Sequence, residues 1–437
     1  MSRFKVAVCT LGCKVNYYES QIITQLLRNN NFKICDMNEI CDAYVVNSCS
    51  VTADTDRKVF KLIRRLIRTN PCAIICVTGC MAQLRPDDIA KMQTDSDIIV
   101  CGNENKQVIV DKLLKRINEK RKNERKQEVF IKDFTDTLLP TKLEGFSRTR
   151  VYIKIEDGCD AKCAYCTICK ARGPVRIRPV AECVEEIKCL ADRGCKEVVL
   201  TGIELSAYPF LPELISEIDK INGIERVRLS SIDPFYLKKE IVDKLSESSK
   251  IMPHFHISLQ SGSSRILAKM RRKYNSVTAH DNLMYLKSKF KNCMLFADII
   301  VGFPTETNEE FMETVDFIKK IRFLHLHIFP YSKRSGTEAA VMEGQIPENI
   351  KNDRAAQLAE IQSGIKKQIL EEFISINDCY EVLVETQKDC IAIGHTREFF
   401  EVNIQLNKQQ SLRDYKGNLV NVIIKKTDGD IMQAVLA

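Results

Sequence analysis

The chain lacks any apolar run near the roughly 18 residues that a membrane span requires, so no contact with a bilayer is expected. Its first residues, MSRFKVAVCT, lack the apolar core and small-residue cleavage site of a secretory signal and lead straight into a strand-like pattern. A cytoplasmic location is the expectation, and with it reduced thiols. No charge of one sign is in marked excess: 66 Lys and Arg against 58 Asp and Glu leave +8, a surplus that fits an anionic partner without demanding one. With 44% hydrophobic and 28% charged residues, the composition is that of an ordinary globular chain. Its 437 residues leave room for two or three domains, each with its own core. What the chain does have in quantity is cysteine, 19 in all. Reduced cysteines that cluster point to metal or catalysis, whereas scattered ones are usually small buried hydrophobes.

Periodicity divides the chain into an N-terminal domain over 1–110, a charged helix and linker over 111–145, a central domain over 146–375 and a small C-terminal domain over 376–437. In the first, FKVAVCT, DAYVVNS, AIICVTG and SDIIVCG read as strands, and residues 16–30 and 57–68 as amphipathic helices. Alternating βα units imply a parallel-sheet α/β domain. Residues 111–128 carry eight Lys/Arg and four acids, the pattern of an exposed charged helix running into a linker. From 151 to 330 the βα rhythm repeats six times, through VYIKIED, EVVLTG, RVRLSS, HFHISLQ, MLFADIIVG and LHLHIFP. Gly194 is placed to end the helix over 180–193. Six such units predict a barrel-like parallel fold with its site at the C-terminal strand ends. The last region shows short alternating strands, CYEVLVET, EFFEVNIQL and NLVNVIIKKT, with IGHT and DGD as turns, an all-β unit read as a barrel.

Four cysteines fall in DGCDAKCAYCTICKARG, at 159, 163, 166 and 169. Cys159, Cys163 and Cys166 form C-x3-C-x2-C directly after the first central strand. Thiolates select zinc, copper(I) or iron–sulfur centres. A structural zinc site wants four closed ligands, commonly as two separated C-x2-C pairs; here the spacing is asymmetric and no second pair follows. A three-thiolate loop suits a [4Fe–4S] cluster with one open iron, with a zinc knuckle or inert buried cysteines as the alternatives. A second set, Cys13, Cys49 and Cys80, is spread through the sequence, yet each lies a few residues past the end of a predicted parallel strand. Those ends lie together at the usual ligand-binding edge, although in so cysteine-rich a chain convergence alone leaves chance open. Cys9, Cys76 and Cys101 sit inside strands, where burial is the simpler explanation.

The loop after the first strand of a (βα)6 partial barrel resembles the radical S-adenosylmethionine enzymes. Taken with TLGCKVNYYES, NSCSVT, TGCMAQ and ARGPVRIRP in that order, nearly the whole chain resembles the methylthiotransferase family of that superfamily. The resemblance implies a radical-SAM barrel, a TRAM-like C-terminal barrel and two [4Fe–4S] clusters, one on Cys159, Cys163 and Cys166 and an auxiliary one on Cys13, Cys49 and Cys80. It also implies S-adenosyl-L-methionine as cofactor, chelated by the open iron of the first cluster and cleaved to a 5′-deoxyadenosyl radical. One molecule of it methylates sulfur carried on the auxiliary cluster, and a second activates the substrate carbon. Cys169 stands where the family usually has proline; a fourth thiolate would close the open iron, so Cys169 is read as a non-ligand.

Strand-end residues supply the expected cofactor pocket: Gly202 and Glu204, Gln260 and Ser261, Asp298 and Gly302, then Tyr331, Ser332 and Arg334. Ordinary turn chemistry explains the same residues equally well. LGCKVN resembles the bacterial branch that methylthiolates C2 of N6-threonylcarbamoyladenosine next to the anticodon; the isopentenyl-adenosine branch has Gln and Met where this chain has Lys14 and Val15. The alternatives are a methylthiotransferase acting on a ribosomal protein and a non-catalytic zinc-binding RNA module. The expected partners are a tRNA anticodon stem–loop and an electron donor. Residues 57–68 hold six Lys/Arg and no acid, the kind of group that neutralises phosphate. Further basic groups are Lys170, Arg172, Arg176 and Arg178, and Arg265, Lys269, Arg271, Arg272 and Lys273. Arg172 and Arg176 are the candidates to pair with the threonyl carboxylate. Residues 379–437 carry seven Lys/Arg against eight Asp/Glu, which leaves His395, Arg397 and the aromatics Tyr380, Phe399 and Phe400 as the means of reading RNA in the C-terminal domain.

Overall fold

The computed structural model describes residues 4–92, 96–119, 127–375 and 379–437. Their contacts form two compact units, one of Met1–Glu144, Lys154–Arg178 and Ser332–Ala340, the other of Gly145–Ile153, Pro179–Tyr331 and Val341–Ala437. The cysteine-rich loop therefore belongs to the same unit as the N-terminal sheet.

In the first unit, β1 (Lys5–Thr10), β2 (Lys33–Ile34), β3 (Ala43–Ser48), β4 (Ile74–Gly79), β5 (Asp97–Cys101) and β6 (Gln127–Phe130) form a parallel sheet in the order β2-β1-β3-β4-β5-β6. β3 and β4 are buried along their whole length, as strands covered on both faces must be. Helix Lys14–Asn29 buries Val15, Tyr18, Ile22, Ile23 and Leu27. Helix Ala53–Thr69, capped by the Thr52 side chain accepting from the Thr55 amide, buries Val59, Ile63 and Leu66 and leaves its basic residues outward. Of the charged run 111–128, residues to 119 complete helix Gln107–Glu119, 127 and 128 open β6, and 120–126 lie outside the described residues. The order of the first five strands is the flavodoxin-like doubly wound one, whose crevice opens where the winding reverses, between β1 and β3. After β7 (Arg150–Lys154), the paired segments β8 (Glu156–Asp157) and β9 (Arg176–Ile177) bracket the cysteine loop.

The second unit contains two three-stranded sheets. β7, β10 (Glu197–Thr201) and β11 (Arg226–Leu229) form one; β12 (His254–Gln260), β13 (Met294–Val301) and β14 (His325–Pro330) form the other. Parallel bridges Val227–Ile251 and Ile232–Ile257 join them into one strand array, the partial barrel. After helix Glu348–Ser375, strands β15 (Cys379–Lys388), β16 (Ile391–Thr396), β17 (Glu401–Gln405), β18 (Leu419–Asp428) and β19 (Ile431–Leu436) close a barrel in the order β15-β16-β17-β19-β18.

Two expectations for this last domain are corrected. IGHT is not a turn but the body of β16, paired with both β15 and β17. Tyr380 and Phe400 are not surface aromatics: both are buried, each with its ring 4.5 Å from that of Phe373. Phe399 stacks on His254, and the Arg228 guanidinium lies over its ring. The carbonyls of His395, Thr396 and Arg397 accept hydrogen bonds from Arg226 and Arg228, so this stretch holds the small barrel to β11.

Candidate metal centres

The turn after β1 places Cys13 at the start of helix Lys14–Asn29. Gly12 has φ +119°, and a Cβ there would lie 2.7 Å from that of Cys49, so only glycine lets the two turns come this close. Cys49 follows β3, and Cys80 follows β4 at the first position of a short helix. Cys13 and Cys49 thus flank the switch point of the sheet, with Cys80 on the next strand. Cys49 and Cys80 are buried; Cys13 keeps an exposed edge. Burial pushes the Cys49 thiol up to about 12, and the neighbouring Cys80 and Cys13 add to that shift. Three thiols brought this close form a donor set suited to a metal centre, whose bound thiols are deprotonated.

A cation is built in beside them. Arg172 ends the short helix Ile168–Arg172 that follows the cysteine loop, and it is fully buried. Its Nε–H donates to Cys80 Sγ at 3.3 Å, Nη1 to Glu19 at 2.5 Å, and Nη2 to Asn16 Oδ1 at 2.5 Å and to Glu19 Oε2 at 3.2 Å. Asp157 lies at 3.4 Å. Lys154 bridges Glu19 and Asp157, and Lys106 approaches Glu19 at 3.6 Å. Burial opposes the charge on Glu19, but Arg172, Lys106 and Lys154 outweigh it and hold the carboxyl well below the usual range. Asn16 also ties the two turns together, donating to the carbonyls of Leu11 and Ser48.

The loop carrying Cys159, Cys163 and Cys166 is half-buried. The Cys159 amide donates to the Gly173 carbonyl, and the Ala161 and Ile168 amides donate to the sulfurs of Cys159 and Cys166 at 3.5 and 3.4 Å. Amides directed at sulfur favour the thiolate and tune a bound cluster. The Ala339 amide donates to the Ala164 carbonyl and Lys170 Nζ to that of Gly336, anchoring the loop to Ser332–Ala340. Cys169 lies within the Ile168–Arg172 helix, one turn from the loop.

The expected pocket residues are distributed over both units. Ser332 accepts from the Ala53 amide; Arg334 pairs with Asp56 at 2.9 Å and donates to Ser50, next to Cys49. These two lie in the first unit, and Gly202, Glu204, Gln260, Ser261, Asp298, Gly302 and Tyr331 in the second. Ser261 is buried and shares a hydrogen bond with Thr314. The Gly302 amide donates to Glu306, and Tyr331 is buried against Phe303. Burial raises the Glu204 carboxyl, with Asp233 adding to it and Arg272 opposing. Gln260 ends β12 at φ +67°. Asp298 accepts from His256.

The two arginines expected to meet a substrate carboxylate are corrected. Arg172 is spent on Cys80, Glu19 and Asn16. Arg176 is buried, donates to Glu104 and the Arg172 carbonyl, and lies over the Phe134 ring. Both guanidinium groups are buried and engaged inside the protein, so neither is presented to an external anion. The reading from sequence also missed Asn16, Glu19, Lys154 and Asp157. Asn16 and Glu19 had a visible signal: polar residues one turn apart on the stripe of Val15, Tyr18 and Ile22.

Residues 5–101 match the uncharacterized protein family UPF0004, and residues 153–318 match the Radical SAM superfamily. Threonylcarbamoyladenosine tRNA methylthiotransferase MtaB of Bacillus subtilis is 37% identical, covering 96% of this chain and 94% of its own. The protein of that name from Thermotoga maritima is 38% identical over 81% of each chain. tRNA-2-methylthio-N(6)-dimethylallyladenosine synthase of Aquifex aeolicus is 32% identical over 90% of each. Among solved structures, the radical S-adenosylmethionine methyltransferase TsrM from Kitasatospora setae, with cobalamin and a [4Fe-4S] cluster bound, shares the fold at TM-score 0.55 and 16% identity, over 78% of this chain and 74% of that one.

Proposed function

This chain belongs to the radical S-adenosylmethionine tRNA methylthiotransferase family, and on that premise we propose that it transfers a methylthio group to C2 of N6-threonylcarbamoyladenosine beside the anticodon. The observation that carries the reading is the placing of Cys13 and Cys49 on either side of the sheet switch point, with Cys80 at the end of the next strand, in the same unit as the C-x3-C-x2-C loop. Cys159, Cys163 and Cys166 would hold one [4Fe–4S] cluster and Cys13, Cys49 and Cys80 the other; when bound, these groups and S-adenosylmethionine supply the radical and sulfur chemistry. The chain's own residues then have definable tasks. Arg172 neutralises thiolate charge at Cys80, and Glu19 and Asn16 hold the guanidinium in place. The amides of Ala161 and Ile168 stabilise the sulfurs of Cys159 and Cys166. A C2–H of a purine has no useful acidity, so a radical route is the suitable one, and a base in a single-stranded loop reaches a deep site without a duplex being melted.

The threonylcarbamoyl group is favoured over isopentenyl by LGCKVN at Cys13 and by the 37% identity to the Bacillus subtilis relative along nearly the whole chain. We further propose that the enzyme works in the cytoplasm with a separate electron donor; among the described residues no helix is long and apolar enough to cross a membrane. Nucleoside mass spectrometry of tRNA from cells with and without the gene tests the reading. The methylthio derivative of threonylcarbamoyladenosine should vanish in its absence while the unmodified precursor accumulates.

A further inference from the structure

The chain has six histidines, and four of them lie on one face of β12, β13 and β14. Residues two apart on a strand share a face. His254 and His256, Phe296 and Asp298, and His325 and His327 therefore line the same side, while the opposite side, with Phe255, Ile257, Leu295 and Ala297, is fully buried core. The parallel register sets Asp298 beside His327 and Phe296 beside both His256 and His325. Three side chains converge there. His256 Nε2 and Asp298 Oδ1 are 3.0 Å apart, the His256 and His327 rings are 5.0 Å apart, and the potential ligand atoms of His256, Asp298 and His327 all lie within 4.8 Å of one another. The side chains of His256 and Asp298 are only 12% and 22% exposed, so this is a recess rather than an open surface.

The chemistry of the trio selects a cation. Two imidazoles supply ring nitrogens, and one carboxylate supplies a negative charge that no lysine or arginine contacts among the ion pairs of the described residues. Two histidines and a carboxylate on adjacent elements are the donor set of mononuclear transition-metal sites with open positions. Strands are rigid supports, and the β12–β13–β14 ladder fixes the spacing of the donors before any ion arrives.

We propose that His256, Asp298 and His327 bind a divalent transition-metal ion, at a site that contains no cysteine. Manganese(II) is the suitable probe because it is a paramagnetic divalent ion that takes carboxylate oxygen and does not compete for thiolates. Anaerobically purified protein with its clusters in place is titrated with Mn(II), and free Mn(II) is counted from its electron paramagnetic resonance signal. One ion should bind per chain. Removing a ligand should weaken binding at least as much as the roughly 10- to 100-fold lost with outer-shell partners, in each of His256→Ala, Asp298→Asn and His327→Ala. His280→Ala removes an exposed histidine elsewhere and should change nothing. Pulsed measurement of nitrogen coupling to the bound ion in the unaltered protein adds a readout independent of how the variants fold, and should show imidazole ligation. Absence of stoichiometric uptake, uptake that the three substitutions leave unchanged, or bound Mn(II) without nitrogen coupling would overturn the proposal.

Discussion

The Nε–H of Arg172 donates to the sulfur of Cys80 across 3.3 Å. A residue six positions after Cys166 thus touches a thiol of the other cysteine set, and the helix that ends the C-x3-C-x2-C loop is tied to the crevice of the N-terminal sheet. Replacing Arg172 with Met leaves Glu19 buried without its main cation, and Asp157 with Lys154 as its close cation. Breaking a buried ion network from one side costs about 3–5 kcal/mol, and denaturant unfolding should register it. Arg172→Lys keeps the charge but not the planar fork; it should recover part of that stability yet leave the redox potential of the cluster on Cys13, Cys49 and Cys80 shifted. An unchanged potential in both variants would mean that Arg172 only supports the fold.

Replacing Cys159, Cys163 or Cys166 with Ala should remove about half of the about eight irons expected for two [4Fe–4S] clusters, along with all 5′-deoxyadenosine formation. Cys169→Ala should leave both largely intact. Equal loss in the Cys169 variant would make it a ligand.

The variant with Cys13, Cys49 and Cys80 all changed to Ala should still cleave S-adenosylmethionine but yield no methylthio product, having no place to hold the sulfur. Methylthiolated product from it would remove the auxiliary role of these three residues.

Glu385 provides a pH test away from either cysteine set. Burial opposes its charge, but His395 at 2.7 Å, Arg150 and Arg228 overcome this and lower its pKa. A carboxyl whose folded pKa is depressed contributes stability above its unfolded value, about 4.3, and loses it as pH falls through the folded value. Glu385→Gln should therefore cost about 1.5–3 kcal/mol at pH 7, the range for a hydrogen bond to a charged group, and the gap from the unaltered protein should close on acidification below about pH 4. A gap constant with pH would place the effect in packing.

The strands with long apolar runs, β3, β4 and β5, were readable because burial on both faces leaves an unbroken hydrophobic signature. β6 was hidden inside a charged run, since an edge strand needs only alternate apolar residues, here Phe130 half-buried against the core while Val129 is exposed. IGHT looked like a turn because glycine usually marks one. In β16, Gly394 instead serves close approach: a Cβ there would lie 2.1 Å from the Leu383 carbonyl oxygen. The six candidate ligand cysteines were visible from strand ends and motif order. The partners of Arg172 were not, because Asn16, Glu19, Cys80 and Asp157 meet only once the loop packs on the sheet. Nor could spacing reveal that Ser332 and Arg334 would bond to Ala53, Ser50 and Asp56.

The most direct test offers the purified, cluster-loaded enzyme two anticodon stem–loops of one sequence, one bearing threonylcarbamoyl and the other isopentenyl on the same adenosine, with product read by mass spectrometry. Methylthiolation at C2 of the threonylcarbamoyl substrate, with little on the other, is the predicted result. Preference for the isopentenyl substrate, or modification of neither, would contradict it.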